Sequence, residues 1–116
     1  MPICLIKCDV MGKVTDLKDS EFRDFVEKHK FAFVDFSADW CGPCRMIGPV
    51  IKELSEEMED VAFAKIDVDR ERKTATEFGI MSIPTMLIFR EGKLADRITG
   101  ALPKSAIAER LREVMK

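Results

Sequence analysis

Three short stretches of this chain have mostly apolar positions: FAFVDFS at 31–37, VAFAKIDV at 61–68 and TMLIF at 85–89. Each is rich in aromatic or branched residues and too short for a typical helix, which marks them as strands. The first and third lack the polar alternation of a half-exposed strand, so the pattern predicts central strands covered on both faces. A fourth segment, KLADRIT at 93–99, is more polar and follows REG. Gly92 supplies the permissive backbone of a hairpin turn there, so this strand should run antiparallel to its predecessor and lie nearer an edge.

Helical spacing fills the intervals. In DSEFRDFVEKH, Phe22, Phe25 and Val26 make one apolar stripe, and Asp19 or Ser20 is placed to cap its start. Between Met46 and Met58 the stripe is Ile47, Val50, Ile51, Leu54 and Met58, with Pro49 predicting a kink rather than a stop. A shorter helix is expected over 71–78, ending at Gly79. The last runs from about Pro103, in a first-turn position, to Met115, with Ile107, Leu111 and Val114 facing inward. Near the N-terminus, ICLIK has the composition of a short extra strand. The expected architecture is α/β: a mixed sheet of four to five strands with helices on both faces. Residues 1–116 read as one domain, with 1–14 a short N-terminal extension or edge strand.

Composition narrows the function classes. Nineteen basic and twenty-one acidic residues leave a formal charge of −2, no field to gather nucleic acid or an anionic membrane. The cluster ERK at 71–73 reads as solvated helix surface. The opening MPICLIKCDVMGK has too short an apolar run for a secretory signal, and no stretch approaches eighteen continuous apolar residues. A cytoplasmic monomer is the expectation. No G-x-G-x-x-G and no P-loop is present, so no nucleotide cofactor is expected.

The chemistry concentrates in WCGPC at 40–44, which holds two of the four cysteines. Cys41 falls where a buried strand meets a helix. Unpaired N–H groups and the dipole at that helix start favour a thiolate. Cys44 lies one turn further on, on the same side, so the two sulfurs can meet with little backbone movement. The reaction this suits is thiol–disulfide exchange, with Cys41 as nucleophile and Cys44 as the resolving thiol. Other readings compete. C-x-x-C is also half of a zinc site, whose second half would have to come from Cys4 and Cys8 or from His29. The pair could be inert core, although Gly42 and Pro43 would be poor filling for a helix start without a geometric purpose. A cysteine protease needs a base beside its nucleophile, and the single histidine has no motif around it. Asp35, within FVDFS, is the available carboxylate; burial there should raise its pKa, for a role either in acid–base chemistry or as a satisfied structural group. Cys4 and Cys8 read as structural, with a regulatory or adventitious disulfide as the rival.

Taken together these motifs resemble the thioredoxin family. VDFSADWCGPC is similar to its active-site strand, turn and helix start, AKIDVD to its third strand, FGIMSIPTMLIFREGK to the segment with its cis-proline, and ITGA to the glycine turn before its last helix, over roughly residues 15–115. The resemblance implies a thioredoxin fold. It further implies that Asp35 is the buried acid moving protons to and from Cys44, that Lys65 modulates it, and that Pro84 is the cis-proline facing the cysteines. Ile83 would pair its backbone with an extended substrate, while Trp40, Gly42, Pro43, Gly100 and Ala101 would complete a shallow docking surface. Lys65 could instead be a surface lysine, and Trp40 a packed lid. Ser37 stands where many members carry tryptophan, and Met81 and Ser82 also depart from common choices. The implied activity is general protein disulfide reduction with no cofactor beyond the Cys41–Cys44 pair, recharged by a thioredoxin reductase that is either flavin-dependent and NADPH-linked or ferredoxin-linked. A glutathione-linked reductase, a disulfide isomerase and a non-catalytic binding module remain alternatives.

Overall fold

The computed structural model describes residues 14–116 in the order β1 (Val14–Asp16), α1 (Asp19–Lys28), β2 (Phe31–Ser37), α2 (Gly42–Glu57), β3 (Val61–Asp67), α3 (Arg72–Glu77), β4 (Thr85–Arg90), β5 (Lys93–Thr99) and α4 (Lys104–Met115). The strands form one mixed sheet ordered β1-β3-β2-β4-β5. The neighbours β1/β3 and β3/β2 are parallel, and β2/β4 and β4/β5 antiparallel. ICLIK lies outside the described residues. The edge beside β3 is taken by Val14–Asp16, three half-buried to exposed residues too few to show a period.

Why the central strands are continuously apolar is now plain. All seven residues of β2 are buried, because its side chains alternate between two cores. Phe31 and Phe33 meet Ile47, Ile51 and Leu54 of α2 and Ile107 and Leu111 of α4. On the opposite face Ala32, Val34 and Phe36 meet Phe22, Phe25 and Val26 of α1 and Ala75 of α3. By the same alternation Asp35 falls on the α2/α4 face, the one carboxylate in a row of apolar neighbours. The hairpin joining β4 to β5 is a two-residue turn in which Glu91 and Gly92 both have positive φ, 52° and 83°, matching the twist of the flanking strands.

All four helices refine the sequence pattern or differ from it. Helix α2 continues through Pro49 to Glu57. Helix α3 ends at Glu77 and closes through Gly79, φ 61°, in a Schellman motif: Gly79 N–H donates to the Thr76 carbonyl at 3.1 Å and Ile80 N–H to the Ala75 carbonyl at 2.9 Å. Pro103 caps α4 from just outside, one position earlier than expected; its carbonyl accepts from Ala106 and Ile107. Asp19 does not cap its own helix. Lys18 occupies the N-cap of α1, and Glu21 Oε1 accepts the Lys18 N–H at 3.0 Å. The Asp19 carboxylate turns instead to the start of α3, accepting from Thr74 N–H at 2.8 Å, Thr74 Oγ1 at 2.6 Å and Lys73 N–H at 3.2 Å. Glu71 returns the favour by accepting the Asp19 N–H at 2.8 Å.

This cross-tie gives a stability prediction. Partial burial pushes the Asp19 carboxyl up, but the hydrogen bonds from Thr74 and Lys73 outweigh it and hold the pKa below the usual value. A depressed carboxylate stabilises the fold above its unfolded pKa, and that contribution is lost as pH falls through the folded pKa. Asp19→Ala should therefore cost about 1–2 kcal/mol at pH 7, the scale of a lost helix cap, and the deficit should shrink below pH 4. Urea denaturation at pH 7 and pH 3 checks both.

Candidate active site

Strand β2 delivers the chain to the turn 38–41, and α2 begins at once. The Cys41 N–H donates to the Ala38 carbonyl at 3.2 Å, and the Cys41 carbonyl accepts Arg45 N–H at 3.2 Å. Cys41 is thus the N-cap of α2, with its side chain in the place a serine or aspartate would take. Its Sγ accepts the Cys44 N–H at 3.2 Å. Pro43, in the first turn, has no N–H to leave unpaired there. Cys41 and Cys44 are joined as a disulfide with Cα atoms 5.2 Å apart, within the ordinary range. The closed ring, rather than a metal half-site or two inert thiols, is the state of this pair. Among the described residues no three His, Cys, Asp or Glu side chains gather as a metal site. His29 stacks on Phe25, ring centroids 4.9 Å apart; Cys4 and Cys8 lie outside the described residues.

A second segment closes over the disulfide. The Ile83–Pro84 peptide is cis, and the Ile83 carbonyl oxygen lies 4.0 Å from Cys41 Sγ. Ile83 and Val68 pack against the small cluster of Ala38, Cys41 and Cys44. Gly100, φ 94°, is tied to the same place, its N–H donating to the Pro84 carbonyl at 2.8 Å. An added Cβ at Gly100 would meet nothing within 4 Å, so backbone conformation rather than space favours glycine there. Ala101, next in the chain, is exposed, as are Gly42, Pro43, Met81 and Ser82. Ser37 is buried, and its carbonyl accepts Val68 N–H at 2.9 Å.

Trp40 is no packed lid. It is 67% exposed, and its Nε1 donates to Asp69 Oδ2 at 2.7 Å. Arg45 Nε bonds the Asp39 carbonyl at 3.1 Å, ordering the same turn. Neither Asp69 nor Arg45 stood out in the sequence: the Trp40 partner is twenty-nine residues away, and an exposed aspartate in a turn carries no pattern of its own.

On the sheet face covered by α2 sits Asp35, 3% exposed, with its Oδ1 buried and without a hydrogen-bond partner among the described residues. It lines a cleft of 390 Å³ with Val14, Asp16, Gly48, Ile51, Lys52 and Lys65. Gly48 is one turn beyond Cys44 on the same side of α2, so the cleft runs under the helix face that carries the second cysteine. Burial pushes the Asp35 carboxyl up to about 7, against the opposing pull of the Lys65 ammonium. Lys65 is exposed, yet it is the register partner of Asp35 in β3, and its field reaches the carboxyl.

The comparisons agree with this geometry. The thioredoxin family model, described as Thioredoxin, matches residues 13–113. Thioredoxin 2 of Chlorobaculum tepidum is 49% identical over 104 residues, covering 88% of this chain and 95% of that protein, and a thioredoxin of Mycobacterium tuberculosis is 42% identical, covering 89% and 88%. Among solved structures, a mutant thioredoxin from Halobacterium salinarum NRC-1 superposes with a TM-score of 0.83 at 31% identity, covering 88% and 90%. The long form of thioredoxin F from spinach chloroplast gives 0.85 at 31%, covering 92% and 90%. With its redox-active Cys41–Cys44 disulfide, the chain is a thiol–disulfide oxidoreductase and belongs to the thioredoxin family.

Proposed function

We propose that the protein works as a general reductase of protein disulfides, with Cys41 as nucleophile and Cys44 as resolving thiol. The observation that carries this reading is the position of Cys41: an N-cap sulfur that accepts a helix N–H, where a thiolate is favoured by both the hydrogen bond and the dipole. In the reduced protein the Cys41 thiolate attacks one sulfur of a substrate disulfide. A Cys41–substrate disulfide forms, and the substrate's other sulfur leaves as a thiolate that takes a proton from solvent. Cys44 then gives its proton to Asp35 and attacks Cys41 Sγ, re-forming the intramolecular disulfide and releasing the second substrate thiolate. An acid with a pKa of about 7 suits proton transfer at neutral pH.

The docking surface is formed by Trp40, Gly42, Pro43, Ile83, Pro84, Gly100 and Ala101, with the backbone of Ile83 offering pairing groups to an extended segment. Two electrons from a thioredoxin reductase, flavin-dependent and NADPH-linked or ferredoxin-linked, reopen the ring. Such a donor works as a monomer where thiols are kept reduced, as in the cytoplasm.

The deciding measurement is the reduction potential of the Cys41–Cys44 pair, by equilibration in defined thiol–disulfide buffers and mass analysis after alkylation. A value near the roughly −270 mV already known for thioredoxin supports an electron donor to cytosolic disulfides. A value above about −200 mV would overturn the reductase direction in favour of an oxidant, an isomerase or a glutathione-coupled role.

A further inference from the structure

The strand register sets three charged residues in one transverse row. In β2/β3 Asp35 pairs with Lys65, and in β1/β3 Asp16 pairs with the same Lys65. Register partners project to the same side of a sheet, so Lys65 stands between two carboxylates on the face covered by α2. The clefts agree with the register. The 390 Å³ cleft under α2 is lined by Asp16, Asp35 and Lys65 together. A second, of 240 Å³, is also lined by Asp16 and Lys65 but not by Asp35, and its other charged walls are Lys18, Asp39, Asp67, Arg70 and Glu71. Asp16 and Lys65 therefore stand at the boundary between the solvent side and the inner cleft that reaches the buried acid.

We propose that Asp16 is a positioning residue of the thiol chemistry: its carboxylate shares the Lys65 ammonium with Asp35 and so sets how readily Asp35 takes up the proton released at Cys44. The inference rests on the exchange reading above and adds a residue to it. Lys65 has no carboxylate within 4.0 Å among the ion pairs of the described residues, so it is not committed to either neighbour. The other groups facing Asp35 are few. Helix α2 brings Lys52 to the cleft wall, β4 places Met86 opposite, and α4 faces the sheet with apolar Ile107, Ala108 and Leu111.

The charge balance is simple. While Asp35 is a carboxylate, Lys65 is drawn toward it and the inner cleft is neutralised. When the Cys44 proton arrives, Asp35 becomes a neutral acid and Lys65 turns to Asp16, which keeps the ammonium at the cleft mouth. When the proton leaves to solvent, Lys65 returns. Removing the Asp16 charge takes away Lys65's second partner and one like charge near Asp35. Both changes lower the Asp35 pKa.

The test is a carboxyl ¹³C NMR titration of Asp35 in the oxidised full chain, where neither Cys41 nor Cys44 titrates, for the wild type, Asp16→Asn, Lys65→Met and the double variant. Asp16→Asn should lower the Asp35 midpoint by roughly half a unit, about a threefold change in acidity, the size expected of a solvent-screened charge two strands away. Lys65→Met should raise the midpoint. In the Lys65→Met background the effect of Asp16→Asn should fall to less than half. An Asp35 midpoint unmoved by Asp16→Asn, or one that shifts equally with and without Lys65, overturns the proposal. Since the readout is a proton on Asp35 and not turnover, failure of the reductase reading in the potential measurement would leave this result separately legible.

Discussion

Cys41→Ser abolishes disulfide reduction, with loss of at least roughly 10³-fold in rate, because the hydroxyl that replaces the sulfur neither ionises near neutral pH nor exchanges with a disulfide. The fold should tolerate it: serine is itself a preferred N-cap residue and can accept the Cys44 N–H that the sulfur accepts at 3.2 Å. Cys44→Ser separates the two roles. The nucleophile survives, so the first exchange proceeds, but nothing resolves the product, and the variant should accumulate as a mixed disulfide with its substrate. Non-reducing gels and intact mass after incubation with a disulfide-bonded protein distinguish the two variants. A Cys44→Ser protein that turns over at the wild-type rate would contradict the assignment of the resolving thiol, and covalent capture by Cys41→Ser through Cys44 would reverse the roles.

The second large effect belongs to Asp35. A carboxyl raised by burial to about 7 binds its proton more tightly folded than unfolded. Its stabilising contribution is fully present below the unfolded pKa of about 4 and is lost as pH rises through about 7. The accumulated penalty is on the order of 4 kcal/mol, about 1.4 for each unit of displacement. Asp35→Ala removes the ionisation altogether, so its stability should stay nearly level between pH 5 and pH 9 while the wild type falls. At pH 9 the variant should be the more stable protein by several kcal/mol, less whatever the missing side chain costs in contacts. Guanidinium denaturation of the oxidised forms across this range reads the slope directly. The same change should slow the resolving step, by up to roughly 10²-fold near pH 7, where a large share of the wild-type Asp35 is ionised and solvent is a poor substitute base. A variant that is more stable yet slower would show that the buried carboxylate is retained for proton transfer rather than for the fold. Equal pH slopes in the two proteins would mean that Asp35 ionises normally.

Both effects trace to features of different legibility. The strands around Asp35 could be read because a strand buried on both faces is continuously apolar, and the helices because Phe22, Phe25 and Val26 or Ile47, Ile51 and Leu54 repeat at the helical period. The cysteine pair was legible too, since an i, i+3 spacing at a helix start is a local geometry. Strand β1 was not, because three partly exposed residues have no period. The cap of α1 was misplaced for a related reason: Asp19 has the right chemistry for its own helix, but its carboxylate is taken by Lys73 and Thr74, more than fifty residues away.

By itself, then, the amino-acid sequence determined the alternation of strands and helices, the two-sided core and the thiol pair, since each depends on residues within a few positions of one another. Only the tertiary structure decided what surrounds the pair. The Ile83 carbonyl beside Cys41, the Asp69 tether on Trp40, and the row of Asp16, Lys65 and Asp35 all join segments distant in sequence. Strand order and register are outcomes of global packing, and a register displaced by one residue would have turned Lys65 to the opposite face of the sheet.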